Sequence, residues 1–115
     1  MTRDEIVEVK THRGESVRIW VLEQRTHVDT LVLLIPGANG AGHMNQDLDG
    51  AIVPSNNFVA RTARRHADAG FRTVLLGEPS DRPKGMSDRF RLSDEHFIDV
   101  MSVIEHNLEG IDRVF

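Results

Sequence analysis

The residues that invite chemistry in this chain lie in two loops. The first reads Pro36-Gly37-Ala38-Asn39-Gly40-Ala41-Gly42-His43. Its small side chains leave backbone N–H groups open to a ligand, and three uses compete for it. A phosphate-binding loop is one, since four residues separate Gly37 from Gly42. That motif continues with Lys and then Ser or Thr, where His43 and Met44 stand. Gly40-x-Gly42 also lacks the third glycine of a dinucleotide fingerprint, Asn45 holding its place. An oxyanion hole is the second use, with unobstructed N–H groups facing a reacting carbonyl. A plain turn whose small residues tolerate positive φ is the third.

The second loop runs from Gly77 to Arg91 and carries Pro79, Pro83 and Gly85. It holds two Ser-Asp-Arg triplets, Ser80 to Arg82 and Ser87 to Arg89. Asp81 or Asp88 could act as a catalytic carboxylate there. Turn capping by Ser and Asp is the commoner reason for such triplets. Histidines occur at 12, 27, 43, 66, 96 and 106, without the spacing of a zinc pair on a helix. His96 and His106 would sit about 15 Å apart along one helix, too far to share a metal. No metal and no cofactor are expected. His43 reads as a solvated loop residue, with ligand contact as the alternative, and His66 as packing at a helix edge. The chain has no Cys, which excludes a thiol nucleophile and a disulfide framework.

The elements that must position these loops follow from periodicity. Glu5 to Thr11 reads as a strand and His12-Arg13-Gly14-Glu15 as a turn. A second strand follows, with Val17, Ile19 and Val21 on one face and Arg18, Trp20 and Leu22 on the other. The two make an antiparallel hairpin, in which Trp20 is a packing residue. Leu31 to Ile35 is the longest apolar run and suits a strand buried on both faces. A long irregular stretch, Gly37 to Asn56, precedes a helix capped by Asn56 or Asn57. That helix carries the stripe Phe58, Val59, Thr62, Ala63, His66 and Ala67, with Gly70 as its C′ glycine. Thr73 to Leu76 is the next strand. Ser93 caps a second helix whose Phe97, Val100, Met101, Ile104 and Leu108 form a core-facing stripe ending at Gly110. Ile111 to Phe115 begins another strand.

Alternating β and α elements with apolar strands predict a mostly parallel sheet covered by helices. Such a sheet binds ligands at the carboxyl ends of its strands, and both loops lie there. Composition narrows the function classes. Fourteen Lys plus Arg against eighteen Asp plus Glu give a net charge of −4. The basic cluster Arg61, Arg64 and Arg65 reads as a solvated helix face, so no nucleic-acid partner is expected. No apolar run approaches a membrane span and no secretory leader opens the sequence, so a cytoplasmic location is expected.

Taken in order, these stretches resemble the α/β-hydrolase superfamily. The residues that carry the likeness are Leu31-Val32-Leu33-Leu34-Ile35-Pro36-Gly37, Asn57 to Gly70 and Phe71 to Leu76. Glu78 to Ser87 is similar to the family's D-x-P-G-x-G-x-S loop in variant form. Ile111 to Phe115 is similar to the approach to its nucleophile elbow. Pro36 to Gly40 with Pro79 to Arg82, Phe90-Arg91 and His96 resembles a group of poorly characterised bacterial members. The resemblance implies an α/β-hydrolase fold, a hairpin leading into a mostly parallel sheet with flanking helices, and ester or related acyl hydrolysis of a small-molecule substrate.

It also implies site residues. The oxyanion N–H falls at Ala38, with Asn39 beside it, although Pro36 stands where the family has His. Gly37, Gly40, Pro79, Ser80, Asp81, Arg82 and Ser87 would line the substrate side. The nucleophile, expected in a Gly-x-Ser-x-Gly-like turn after the Ile111 strand, is not in the chain, and neither are the later acid and His. Residues 1–115 are therefore expected to be one incomplete hydrolase-like domain, inactive alone. A phosphate- or nucleotide-binding module at Gly37–Gly42 and a non-catalytic fragment completed by another chain are the alternatives. In the family's strand order the Ile111 strand pairs beside the Leu31 strand, near the middle of the sheet. Its outer edge would be exposed, apolar and prone to self-association.

Overall fold

The computed structural model describes residues 2–25, 27–36, 45–46, 52–53 and 58–115. The chain opens with a hairpin of β1 (Arg3–Lys10) and β2 (Ser16–Glu23), antiparallel with Val9 opposite Val17. Its turn is closed by Thr11 N–H donating to Glu15 O (2.8 Å) and Gly14 N–H to Thr11 O (2.9 Å). Gly14 sits at φ 84°, where a side chain would be strained. Then come β3 (Thr30–Leu34) and a two-stranded ladder of β4 (Asn45–Gln46) and β5 (Ile52–Val53), within the stretch expected to be irregular. Helices α1 (Phe58–Arg61) and α2 (Ala63–Asp68) lead through Gly70, at φ 104°, into β6 (Arg72–Pro79). The chain closes with α3 (Asp88–Arg91), α4 (Asp94–His106) and β7 (Arg113–Val114).

Five strands form one sheet in the order β1-β2-β6-β3-β7. The hairpin joins β6 antiparallel, while β6, β3 and β7 run parallel. A mixed α/β fold follows from this order. The step from β3 to β6 and the step from β6 back across β3 to β7 go in opposite directions. Right-handed crossovers then require the intervening helices to cover opposite faces. The core has that form. Val17, Ile19 and Val21, with Val74 and Leu76 of the neighbouring β6, form a core with Val103 of α4 on one side. Trp20 and Leu22 face Leu75, Ala63 and Ala67 of α2 on the other. The period-2 alternation of β2 thus feeds both layers.

Trp20 is fully buried, and its Nε1–H donates to Asp4 Oδ1 at 2.7 Å. Arg64 lies 5.1 Å over its ring and donates to the other Asp4 oxygen at 2.8 Å. This arginine lies on an exposed helix face, as expected, and from there also reaches the hairpin. At the far end of the sheet Arg72 pairs with Glu23 and donates to Asn107 O (2.6 Å) and Glu109 O (2.7 Å), tying the end of α4 to β6.

Three expectations need correcting. The loop predicted from Gly77 to Arg91 is partly ordered. β6 runs on to Pro79, with one extra residue between the Leu76↔Ile19 and Pro79↔Val17 pairs, a bulge that lets a proline end the strand. The loop closes in α3, where Ser87 accepts Phe90 N–H at 3.2 Å. β3 is buried at Leu31 but only half-buried from Val32 to Leu34, and Ile35 is exposed. The α4 stripe is turned away from its predicted position. Val100 and Ile104 pack on the sheet, but Phe97 is 64% exposed and Met101 and Leu108 also face out. His96, Asp99, Ser102 and Val103 are the buried residues.

Polar anchors cause this rotation. Ser102 Oγ accepts His12 N–H at 3.1 Å, and Asp99 is held by Arg13, so the helix docks its 99/102 side on the hairpin turn. Residues 97 and 101 lie on the flank turned away from the hairpin, and Leu108, expected in the stripe, falls beyond the helix end at His106. The N-cap expected at Ser93 is present, with Ser93 Oγ accepting His96 N–H at 3.3 Å. Ser93→Ala is expected to cost about 1 kcal/mol, read as a lower urea midpoint at unchanged slope. Among the described residues no helix is long and apolar enough to cross a membrane.

Candidate active-site crevice

Adjacent parallel strands whose connections leave on opposite faces open a crevice at their carboxyl ends. β3 and β6 are such a pair here. Pro36, buried, follows β3, and its carbonyl accepts from Arg91 Nη2 at 2.8 Å. α3 is thereby fastened to the mouth of β3. Beside it lies an open groove of about 540 Å³, lined by Ile35, Leu92, His96, Phe97 and Val100 together with Arg91 and Ser93. The proposed oxyanion residues Ala38 and Asn39, their flanking Gly37 and Gly40, and the Gly37–Gly42 phosphate alternative lie outside the described residues, as does His43.

Of the predicted residues of the second loop, Asp81, Arg82 and Ser87 line a pocket that shares Ser93 with the crevice, while Pro79 and Ser80 line a separate one beside Ser16. Pro79 is buried at the end of β6. Ser80 pins the hairpin: its N–H donates to Ser16 O (2.7 Å), and its hydroxyl accepts Ser16 N–H (2.9 Å) and donates to Glu15 (2.6 Å). Asp81 receives two hydrogen bonds from Arg13, at 2.8 and 3.0 Å. Arg82 places its guanidinium 4.7 Å over the Phe90 ring. Ser87 caps α3, with Asp88 in its first turn, as the capping reading of that triplet expects. Ser93 and Ser102, like Ser80 and Ser87, have hydroxyls engaged by backbone groups. Among the described residues no cluster of His, Asp or Glu could hold a metal.

Sequence reasoning missed the group that organises this end of the sheet. Arg13 was expected only as a turn residue. Its guanidinium donates to Asp99 Oδ1 (3.0 Å) and Oδ2 (2.7 Å) as well as to Asp81. The Asp99 side chain is 2% exposed. One arginine thus joins the hairpin turn, the loop after β6 and α4. The readable signal was Asp99 itself: it shares a helix face with Val103 and His96, and a charge there demands a partner.

Electrostatics follow from these contacts. Hydrogen bonds from Arg13 hold the Asp81 carboxyl below the usual carboxylate range. Burial pushes the His96 imidazole down from its ordinary value, with Arg91 adding to the effect. His96 is therefore favoured as a neutral ring, its centroid 5.8 Å from that of Phe90 and its plane tilted 56° to it. Two pH effects follow. His96 binds its proton more weakly folded than unfolded, so stability declines as pH falls below about 6.5. Asp81 contributes fully above about pH 3.9, and that contribution is lost as pH falls through its depressed folded value. Urea midpoints measured from pH 8 to 3 should show both limbs. His96→Gln should flatten the first limb and Asp81→Asn the second.

No family model and no curated protein matches the chain. A solved structure does: that of DcsB in complex with its substrate analogue, at 17% identity and a TM-score of 0.60. The match covers 97% of this chain and 35% of DcsB, so the chain spans about a third of that protein's length. At this identity the likeness is one of fold, and function has to be argued from the site.

Proposed function

We propose that this chain is the N-terminal part of a serine α/β hydrolase acting on an ester or related acyl compound. The observation that carries the reading is the place of β7. It runs parallel beside β3, with Arg113 opposite Thr30 and Val114 opposite Leu31. Phe115 extends the ladder, donating to Leu31 O (2.8 Å) and accepting from Leu33 N–H (2.7 Å). Parallel neighbours lie about 4.8 Å apart, and their carboxyl ends open on the same side. A nucleophile in a turn directly after β7 would therefore stand next to the loop that follows Pro36.

The roles then divide as the resemblance implies. A serine Oγ carried after β7 attacks the acyl carbon and forms an acyl-enzyme. Backbone N–H groups of Ala38 and Asn39, between Gly37 and Gly40, receive the negative charge that develops on the carbonyl oxygen. Pro79, Ser80, Asp81, Arg82 and Ser87 edge the substrate side. The match to about a third of DcsB supports a fold that extends beyond these residues.

The coding sequence after Phe115 tests this. A Gly-x-Ser-x-Gly-like turn within the next few codons is the expected result. An open frame with no nucleophile-bearing turn there would remove the proposal.

A further inference from the structure

A second pocket, of about 400 Å³, adjoins the crevice, with Ser93 lining both. Three arginines face it: Arg13, Arg82 and Arg89. Arg13 is already engaged by two carboxylates, Asp81 and Asp99. Arg82 and Arg89 are different. Both are exposed, and neither forms an ion pair among the described residues. Arg82 is held over Phe90, which fixes its plane without neutralising its charge. Ser87 accepts Phe90 N–H, so its own O–H remains to be donated. The opposing charge at the mouth is Glu95.

We infer that this pocket binds a carboxylate through Arg82, Arg89 and the Ser87 hydroxyl. The guanidinium fork matches a carboxylate in shape and charge. The three arginines balance Asp81, Asp99 and Glu95 in charge, so a carboxylate is drawn by the guanidinium donors that Arg82 and Arg89, without an ion pair among the described residues, turn to the pocket. Behind them Arg13 with Asp81 and Asp99 carries one net negative charge. That background disfavours a dianionic phosphate. Given the hydrolase reading, on which this step rests, the substrate is an acyl compound bearing a free carboxylate: the acyl carbon lies by Pro36 and the carboxylate across Ser93 from it.

Titration of the 115-residue protein with glutaramate, a monoanion with one carboxylate and one neutral acyl end, followed by amide and arginine Nε–H shifts, tests the pocket. Saturable shifts at Arg82, Ser87 and Arg89 are expected, weakened about tenfold by Arg82→Gln or by Arg89→Gln for each lost charge-assisted bond. Both residues are exposed, so the variants should keep the parent's circular dichroism. Neutral glutaramide should produce no shifts. Absence of saturable shifts, equal binding by glutaramide, or tighter binding of inorganic phosphate would overturn the inference. Those outcomes leave the hydrolase reading standing, because that reading depends on the nucleophile after β7.

Discussion

Arg13→Ala is expected to destabilise the protein by about 3–5 kcal/mol, the range for leaving a buried charge without its partner. Asp99 has a side chain only 2% exposed, and both its oxygens are bonded by Arg13. Removing the guanidinium leaves that carboxylate buried between α4 and the hairpin. It also releases the loop after β6, since Asp81 is held by the same group. The Arg13 side chain is 13% exposed, so water cannot easily replace it. Urea denaturation should show a much lower midpoint at unchanged slope. Arg13→Met combined with Asp99→Leu should recover a good part of the loss, because a matched apolar pair carries no desolvation cost. A loss below about 1 kcal/mol in Arg13→Ala, the level of an exposed pair, would show that the cluster does not hold the fold together.

The second large effect concerns the side of the molecule beyond β7. Phe97 and Met101 on α4 and Leu108 just beyond it are exposed, as are Ile35, Val114 and Phe115, and Phe115 is 74% exposed. β7 is bonded to β3 on one edge, and among the described residues no strand covers the other. An apolar face beside an open strand edge is a site for association. The protein is expected to self-associate with rising concentration in sedimentation velocity. Phe97→Lys with Phe115→Lys should weaken that association at least about tenfold, as loss of aromatic anchors does. A concentration-independent monomer would contradict this.

Much of the fold was legible in the residues. β2 alternates strictly, and because helices cover both faces of the sheet, each half of the alternation found a core. The apolar run at Leu31 and the run at Val74 marked the parallel strands, and Ser93 and Gly70 marked helix ends. Gly77 and Pro79 look like breakers, so the sequence alone ends β6 at Leu76, three residues short of its end at Pro79. The bulge that accommodates them depends on pairing with Val17, a partner distant in sequence. The rotation of α4 was hidden for a similar reason. Apolar spacing favoured the 97/101/108 flank, yet Asp99 and Ser102 are drawn to a turn about 90 residues earlier by the geometry of Arg13 and His12. Local periodicity cannot weigh such long-range polar bonds. Of the proposed site, Asp81, Arg82 and Ser87 share a pocket beside the crevice, Pro79 and Ser80 line a different one, and Gly37 to Gly40 lie outside the described residues.

The proposed hydrolase needs a serine nucleophile carried after β7, at the end of the sheet where Pro36 lies. Labelling with a fluorophosphonate probe, followed by peptide mapping, addresses it directly. The 115-residue protein should remain unmodified. The protein extended through its reading frame should be modified stoichiometrically at one serine after Phe115. Modification of Ser16, Ser55, Ser80, Ser87, Ser93 or Ser102, or no modification of the extended protein, would contradict the account.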